Sequence, residues 1–285
     1  MAITSWDGIA NAYGTGKRDR LNFQKISSNG AASAAGRWHE MLTWTGVPGP
    51  VTFSGTAGVA TQLNASTSGA LGPLPNVSTD TRYLTKGYAQ SPTATVVPST
   101  LLLCDFLLYY PACVVTGTAT TLNNAATLPR YTDGAGVEAL IVVQSALGAA
   151  SPALTLTYTD QSGNTGNLSP AALTSPGNSA PISTAFQHTA GGPFMAKIAG
   201  DTGVRKIDSY TLASGTTGTV AFLLVKVLAE IPLGAINTPT LMNYVTELPS
   251  MPKIEDGACL GFLMSAGGAM VTSASVMGAV EAVYG

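Results

Sequence analysis

From about residue 80 to the C-terminus the sequence breaks into short apolar runs rich in Val, Leu, Thr and Tyr, each bounded by Gly, Pro, Asn or Asp clusters. That punctuation leaves no room for a long helix and predicts many short strands, as in a sandwich or barrel. Expected strands are 81–89, 100–109, 112–117, 136–146, 153–159, 182–187, 194–198, 205–213, 218–229, 241–247, 258–264 and 269–284. In 153–159, Leu154, Leu156 and Tyr158 alternate with Ala153, Thr155 and Thr157, giving one apolar and one Thr-lined face. Val220 to Leu228 is apolar apart from Lys226, the pattern of a strand covered on both sides. Hairpin-type turns are expected at Asp160–Asn164 and Ser214–Gly215.

The first 80 residues have a different texture. Charges cluster before residue 41, and none occurs from Met41 to Thr79. This reads as an extended N-terminal arm and connecting stretch over 1–80, followed by a β-sandwich over 81–285. Within the arm, Ala31, Ala34, Ala35, Trp38, Met41 and Leu42 fall at helical spacing behind Asn29, predicting one short helix at about 31–44. The overall expectation is an all-β, jelly-roll-like β-sandwich with an N-terminal arm containing one short helix.

Charge is scarce. Only 10% of residues are Asp, Glu, Lys or Arg, against about 25% in an ordinary soluble domain. With 45% hydrophobic residues the chain is not a disordered one, so Ser, Thr, Asn and Gly must cover much of its surface. Such a surface strands few ions when another subunit covers it. The formal net charge of -2 supplies no field to hold nucleic acid or an anionic membrane. The uncharged segment 257–280 has the length of a membrane span, but Gly, Ala, Ser and Thr dominate it and Gly267–Gly268 interrupts it, which predicts two buried strands. The N-terminus lacks the apolar core of a secretory signal, so synthesis in the host cytoplasm is expected.

No catalytic pattern declares itself. The two histidines, His39 and His188, lack partners at metal-ligand spacing, and no serine lies in a Gly-x-Ser-x-Gly elbow. The three cysteines, Cys104, Cys113 and Cys259, read as buried free thiols. Gly14-Thr15-Gly16-Lys17 lacks the first glycine and the hydroxyl residue of a phosphate loop and is read as a turn. Asp105 interrupts a Leu-rich run, where it calls for an outward position or a buried partner, Arg82 or Lys86. No catalytic, metal or cofactor site is therefore expected. Trp6, Trp38 and Trp44 all lie in the first 44 residues, outside the expected β region, and with Arg18 and Arg20 they are the candidate assembly contacts. The tryptophans would dock on a neighbouring subunit or back on their own domain.

The segment Gly36-Arg37-Trp38-His39-Glu40-Met41-Leu42-Thr43-Trp44, leading into Gly46-Val47-Pro48-Gly49, resembles one near the start of structural proteins encoded beside capsid genes in tailed phages. Thr81–Thr85 to Tyr88–Ala89, Leu102–Pro111 and Gly200–Arg205 extend the resemblance over roughly residues 30 to 230. It implies a virion structural protein similar to capsid decoration, or cement, proteins. Such a protein would be a jelly-roll-like homo-oligomer, commonly a trimer, bound outside the shell to the major capsid protein. The weakly charged C-terminal third departs from that pattern. Alternatives are a tail tube, fibre or baseplate subunit, and a carbohydrate-binding host-recognition module.

Overall fold

In the computed structural model the described residues are 3, 5–27, 33–115, 117–148, 153–176, 182–188, 191–212 and 217–285. The elements begin with α1 (Trp6–Gly14), β1 (Arg18–Ile26), β2 (Trp38–Glu40), β3 (Thr45–Val47), β4 (Thr61–Gln62), β5 (Arg82–Gln90) and β6 (Ser99–Val114). There follow β7 (Thr120–Thr121), β8 (Val137–Ser145), β9 (Ala153–Asp160), β10 (Asn167–Leu168), β11 (Leu173–Thr174) and β12 (Val204–Leu212). The chain ends with β13 (Thr219–Leu233), β14 (Thr240–Asn243), β15 (Lys253–Ile254), β16 (Cys259–Ala266) and β17 (Ser275–Tyr284). The fold is all-β and antiparallel, a jelly-roll-like sandwich.

Three sheets build it. The first runs β14-β5-β17-β1-β3, with β15 also on β5; the central one runs β2-β16-β6-β13-β8, with β4 on β6; the third runs β10-β9-β12-β7, with β11 on β9. On one face the long strands β6 and β13 belong to two cores at once. Their Leu101, Leu103, Ala229, Ile231 and Leu233 meet Leu21, Phe23, Leu84, Val276 and Val280 of the first sheet. Further along, Leu107, Tyr110, Val220, Phe222 and Leu224 meet Leu154, Leu156, Tyr158, Ile207 and Tyr210 of the third. A register shift between Val227 and Ala229 lets odd-numbered residues of β13 change face, so both outer sheets pack on one side of the central sheet.

The other side of the central sheet closes on itself. Residues 183–187 bridge to β2 through His39–Thr184 and to β8 through Val142–Ala185, so backbone pairing runs in a circuit and leaves neither edge of this sheet open. Cys104, Phe106, Leu140, Val142, Leu223, Val225 and Cys259 fill the enclosed face, sealed by Leu42, Phe53 and Leu63 from the uncharged connecting stretch. That stretch is thus a plug of the core.

Several expectations require correction. The helix expected at about 31–44 does not form among the described residues; Trp38–Glu40 is β2, paired with Leu263–Ser265, and residues 31 and 32 lie outside the described set. The helical spacing of its apolar residues instead reflects Met41, Leu42 and Trp44 turning into different cores. A short helix does occur in the N-terminal segment, but at Trp6–Gly14, where Ser5 caps Gly8 N at 3.1 Å. Nor does residue 80 separate an arm from the body. β1 pairs with β17 from Arg18–Val283 to Ile26–Ser275, because Leu21, Phe23 and Lys25 alternate inward beneath outward charges.

The expected strands 100–109 and 112–117 are one strand, continued through Pro111 and through Ala112 at φ 51. Residues 182–187 and 194–198 make only isolated bridges. The segment 257–280 gives two strands, β16 and β17, in different sheets. Asp160–Asn164 forms the expected turn, with Asp160 Oδ1 accepting from Ser162 N and Asn164 N, whereas Ser214–Gly215 lies outside the described residues.

Candidate functional site

The groups that would carry chemistry are buried and quenched. His39 is fully buried between Ser33 Oγ at 3.2 Å and Thr184 Oγ1 at 3.5 Å, and burial, assisted by Arg37, holds its pKa down at about 3. The three thiols are buried, and desolvation pushes Cys113 and Cys259 up to about 12, far from a reactive thiolate. No group of three or more His, Cys, Asp or Glu side chains able to hold a metal occurs among the described residues. Among the described residues no helix is long and apolar enough to cross a membrane.

The charges inside the protein organise the backbone. Lys25 Nζ donates to Pro48 O at 2.9 Å and Trp44 O at 3.4 Å, while Glu40 accepts from Thr43 N at 3.1 Å and Thr43 Oγ1 at 2.8 Å. Burial pulls Lys25 down to about 8 and pushes Glu40 up to about 7. These two residues fix the turn of 38–49, the segment that carries the phage resemblance. Its first half, His39 to Leu42 with Trp44, is internal structure, while Thr45 to Val47 lie at the surface.

The five candidate contacts separate into two groups. Trp44 is 0% exposed and its Nε1 donates to Ser183 Oγ at 3.1 Å, so it docks back on its own domain and cannot serve as a surface anchor. Trp38 is half-buried and donates to Gly191 O at 3.1 Å. Trp6 is 65% exposed on α1, the helix being seated by buried Ala12 and by Tyr13 Oη, 3.0 Å from Thr85 Oγ1. Arg18 and Arg20 are exposed on the outer face of β1; Arg18 lies 6.0 Å above the Tyr13 ring, and Arg20 pairs with Glu281 at 2.6 Å.

The remaining surface is notable for apolar side chains beside strand edges. Val47 on β3 is 63% exposed and Leu241 on β14 is 61% exposed, and these are the two outermost strands of the first sheet. Next to β14, a groove of about 440 Å³ is formed by Trp6 and Ile9 of α1 with Val245, Leu248 and Met251. Near β3, Thr43, Thr45, Val51, Phe53 and Ile182 line a cleft of about 370 Å³. Neither recess holds an activated acid, base or nucleophile. The arrangement offers contact area and backbone hydrogen bonds. Sequence reasoning missed β14 as an edge; the uncharged stretch 231–246 was the available signal.

No family model and no curated protein matches this chain. Among solved structures it is similar to VP1 of Trichodysplasia spinulosa-associated polyomavirus in complex with GM1 oligosaccharide, at 10% identity over 95% of each chain, with a TM-score of 0.27. It is also similar to VP2 of the infectious bursal disease virus subviral particle, at 9% identity over 93% of this chain and 80% of that one, with a TM-score of 0.20. Superpositions this loose fall short of a shared topology.

Proposed function

We propose that this chain is a structural subunit of a tailed-phage particle, most specifically a capsid decoration, or cement, protein. In this reading it assembles with copies of itself, as trimers, and binds the major capsid protein on the outside of the shell. The observation that carries the reading is the surface: with 10% charged residues, and with Trp6, Val47 and Leu241 each more than half exposed, it loses little ion hydration when another subunit covers it. The sequence resemblance across residues 30 to 230 supports the phage assignment. The buried state of His39 and the cysteines is in keeping with a mechanical role.

Mechanically, two cores joined by the long strands β6 and β13 supply a stiff body, and the exposed face of α1 with the neighbouring groove supplies a contact. Cryo-electron microscopy of the particle, with the copies counted, tests this. The expected result is hundreds of copies in an icosahedral array on the head. A few copies confined to the tail would move the protein to a tube, fibre or baseplate position, and absence from purified particles would end the virion reading.

A further inference from the structure

We infer that the first sheet continues from one copy of this chain to the next, β14 of one subunit pairing antiparallel with the open part of β1 in its neighbour. The inference rests on the reading of the chain as an assembling subunit and names the joint.

Edge protection differs sharply among the three sheets. The central sheet has its edges closed by residues 183–187, and the third ends in the two-residue strands β7 and β10. The first sheet has neither device. β3 pairs with only Gln24–Ile26 of β1, so residues 18–23 have β17 on one side and no strand on the other among the described residues. α1 does not shield this edge, because its Tyr13 reaches across to Thr85 on β5. At the far side of the same sheet β14 is outermost, four residues long, with Leu241 exposed and no charge between Ile231 and Thr246.

The two edges complement one another in direction, length and charge. β14, β5, β17 and β1 alternate in direction, so a second copy brought up in the same orientation presents its β14 antiparallel to β1. The incoming strand also runs in the same direction as β3 and takes the place beside β1 that β3 leaves empty. In that pairing the C-terminal end of β14 falls beside the start of β1. Exposed Glu247, just past β14, then approaches exposed Arg18; neither has an ion-pair partner within 4.0 Å among the described residues. A joint between two different edges repeats under one rotation, giving a closed ring or an open filament.

The test uses the full chain. Its own cysteines are buried, so Asn22→Cys and Leu241→Cys, both at exposed positions, are the only thiols within reach of a short bis-maleimide. A mixture of the two variants should cross-link to a species of twice 28.9 kDa, whereas either variant alone should not. Equal cross-linking of each variant to itself, or a monomer in every mixture, overturns the inference. As a second arm, Arg18→Glu or Glu247→Arg alone should weaken self-association by about tenfold, and combining them should restore it. Both sites are exposed, so the melting temperature should not move, and no rescue by the combined variant counts against the joint. If particles still carry the protein while these edges fail to pair, the virion reading stands and this inference falls. Pairing by a protein absent from particles gives the reverse.

Discussion

Arg130 grips Asp105 at two points, its Nε 2.7 Å from Oδ2 and its Nη2 2.7 Å from Oδ1. The pair lies where the two cores meet: Asp105 shares an alternate row of β6 with Leu101 and Leu103 of one core and Leu107 of the other. Cys259 N donates to Oδ1 at 2.9 Å, and Arg130 Nη2 also reaches Leu63 O and Phe106 O. The pair therefore ties β6 to β16 and to the connecting stretch. Arg130→Ala leaves a carboxylate buried with no counter-charge and should cost about 3–5 kcal/mol, read by urea denaturation. The double substitution Asp105→Leu with Arg130→Met should recover most of that loss. An Arg130→Ala protein as stable as the parent would show that the pair is not what holds the junction.

Acid sensitivity should trace to His39. Burial holds its folded pKa at about 3, below the ordinary value of 6.5, so the native state keeps the ring neutral while the unfolded chain gains a proton as pH falls through 6.5. Stability is lost downward from pH 6.5 by about 1.4 kcal/mol per pH unit until the folded pKa is reached. Glu40 acts in the opposite sense: raised to about 7, it takes up its proton in the native state first and favours folding as pH falls from 7 toward 4.5. His39→Gln should thus lose about 3 kcal/mol less than the parent between pH 7 and pH 4. Denaturation curves at the two pH values decide it, and an unchanged difference refutes the assignment.

Gly46 should tolerate no side chain. Its φ is 111°, and a Cβ there would stand 1.9 Å from Gln24 O across the β1–β3 pair. Gly46→Ala should pull β3 off β1 and cost upwards of about 2 kcal/mol. Faster amide exchange at Gln24–Ile26 would accompany the loss, and protection equal to the parent's would contradict it.

The tryptophans separate core from surface. Trp44→Ala should cost about 3–5 kcal/mol, because the ring is fully enclosed and Ser183 loses its donor. Trp6→Ala should leave the melting temperature unchanged yet lower occupancy on particles, since the side chain is 65% exposed. Removal of residues 1–44 should abolish folding, because it deletes β1, which pairs with β17 from Arg18 to Ile26 and places Leu21 and Phe23 in the core. A folded truncation product would show that β1 is dispensable.

The strand pattern was legible wherever alternation was local. The run around Leu154–Tyr158 carries its own period and Val220–Leu228 is a continuous apolar run, and each became a strand at nearly the expected place. The segment 18–26 hid because its outward row is Arg18, Arg20, Asn22 and Gln24, polar enough to pass for an arm; only Leu21 and Phe23 betrayed an inner face. For Asp105 the sequence leaves open an outward position or a buried partner, Arg82 or Lys86; the structure buries it against Arg130, and Arg82 is bonded to Asp19 at 2.7 Å.

What the sequence alone determined is class and texture: an antiparallel β-protein, poor in charge, with buried thiols. These follow from side-chain period and composition, which each short run states for itself. The tertiary structure alone decided that β1 joins the first sheet along β17 from Ser275 to Val283, that residues 183–187 close the central sheet, and which strands were left outermost. Those outcomes depend on pairing between segments as far apart as Arg18 and Val283, and backbone hydrogen bonds between distant strands carry no residue code of their own.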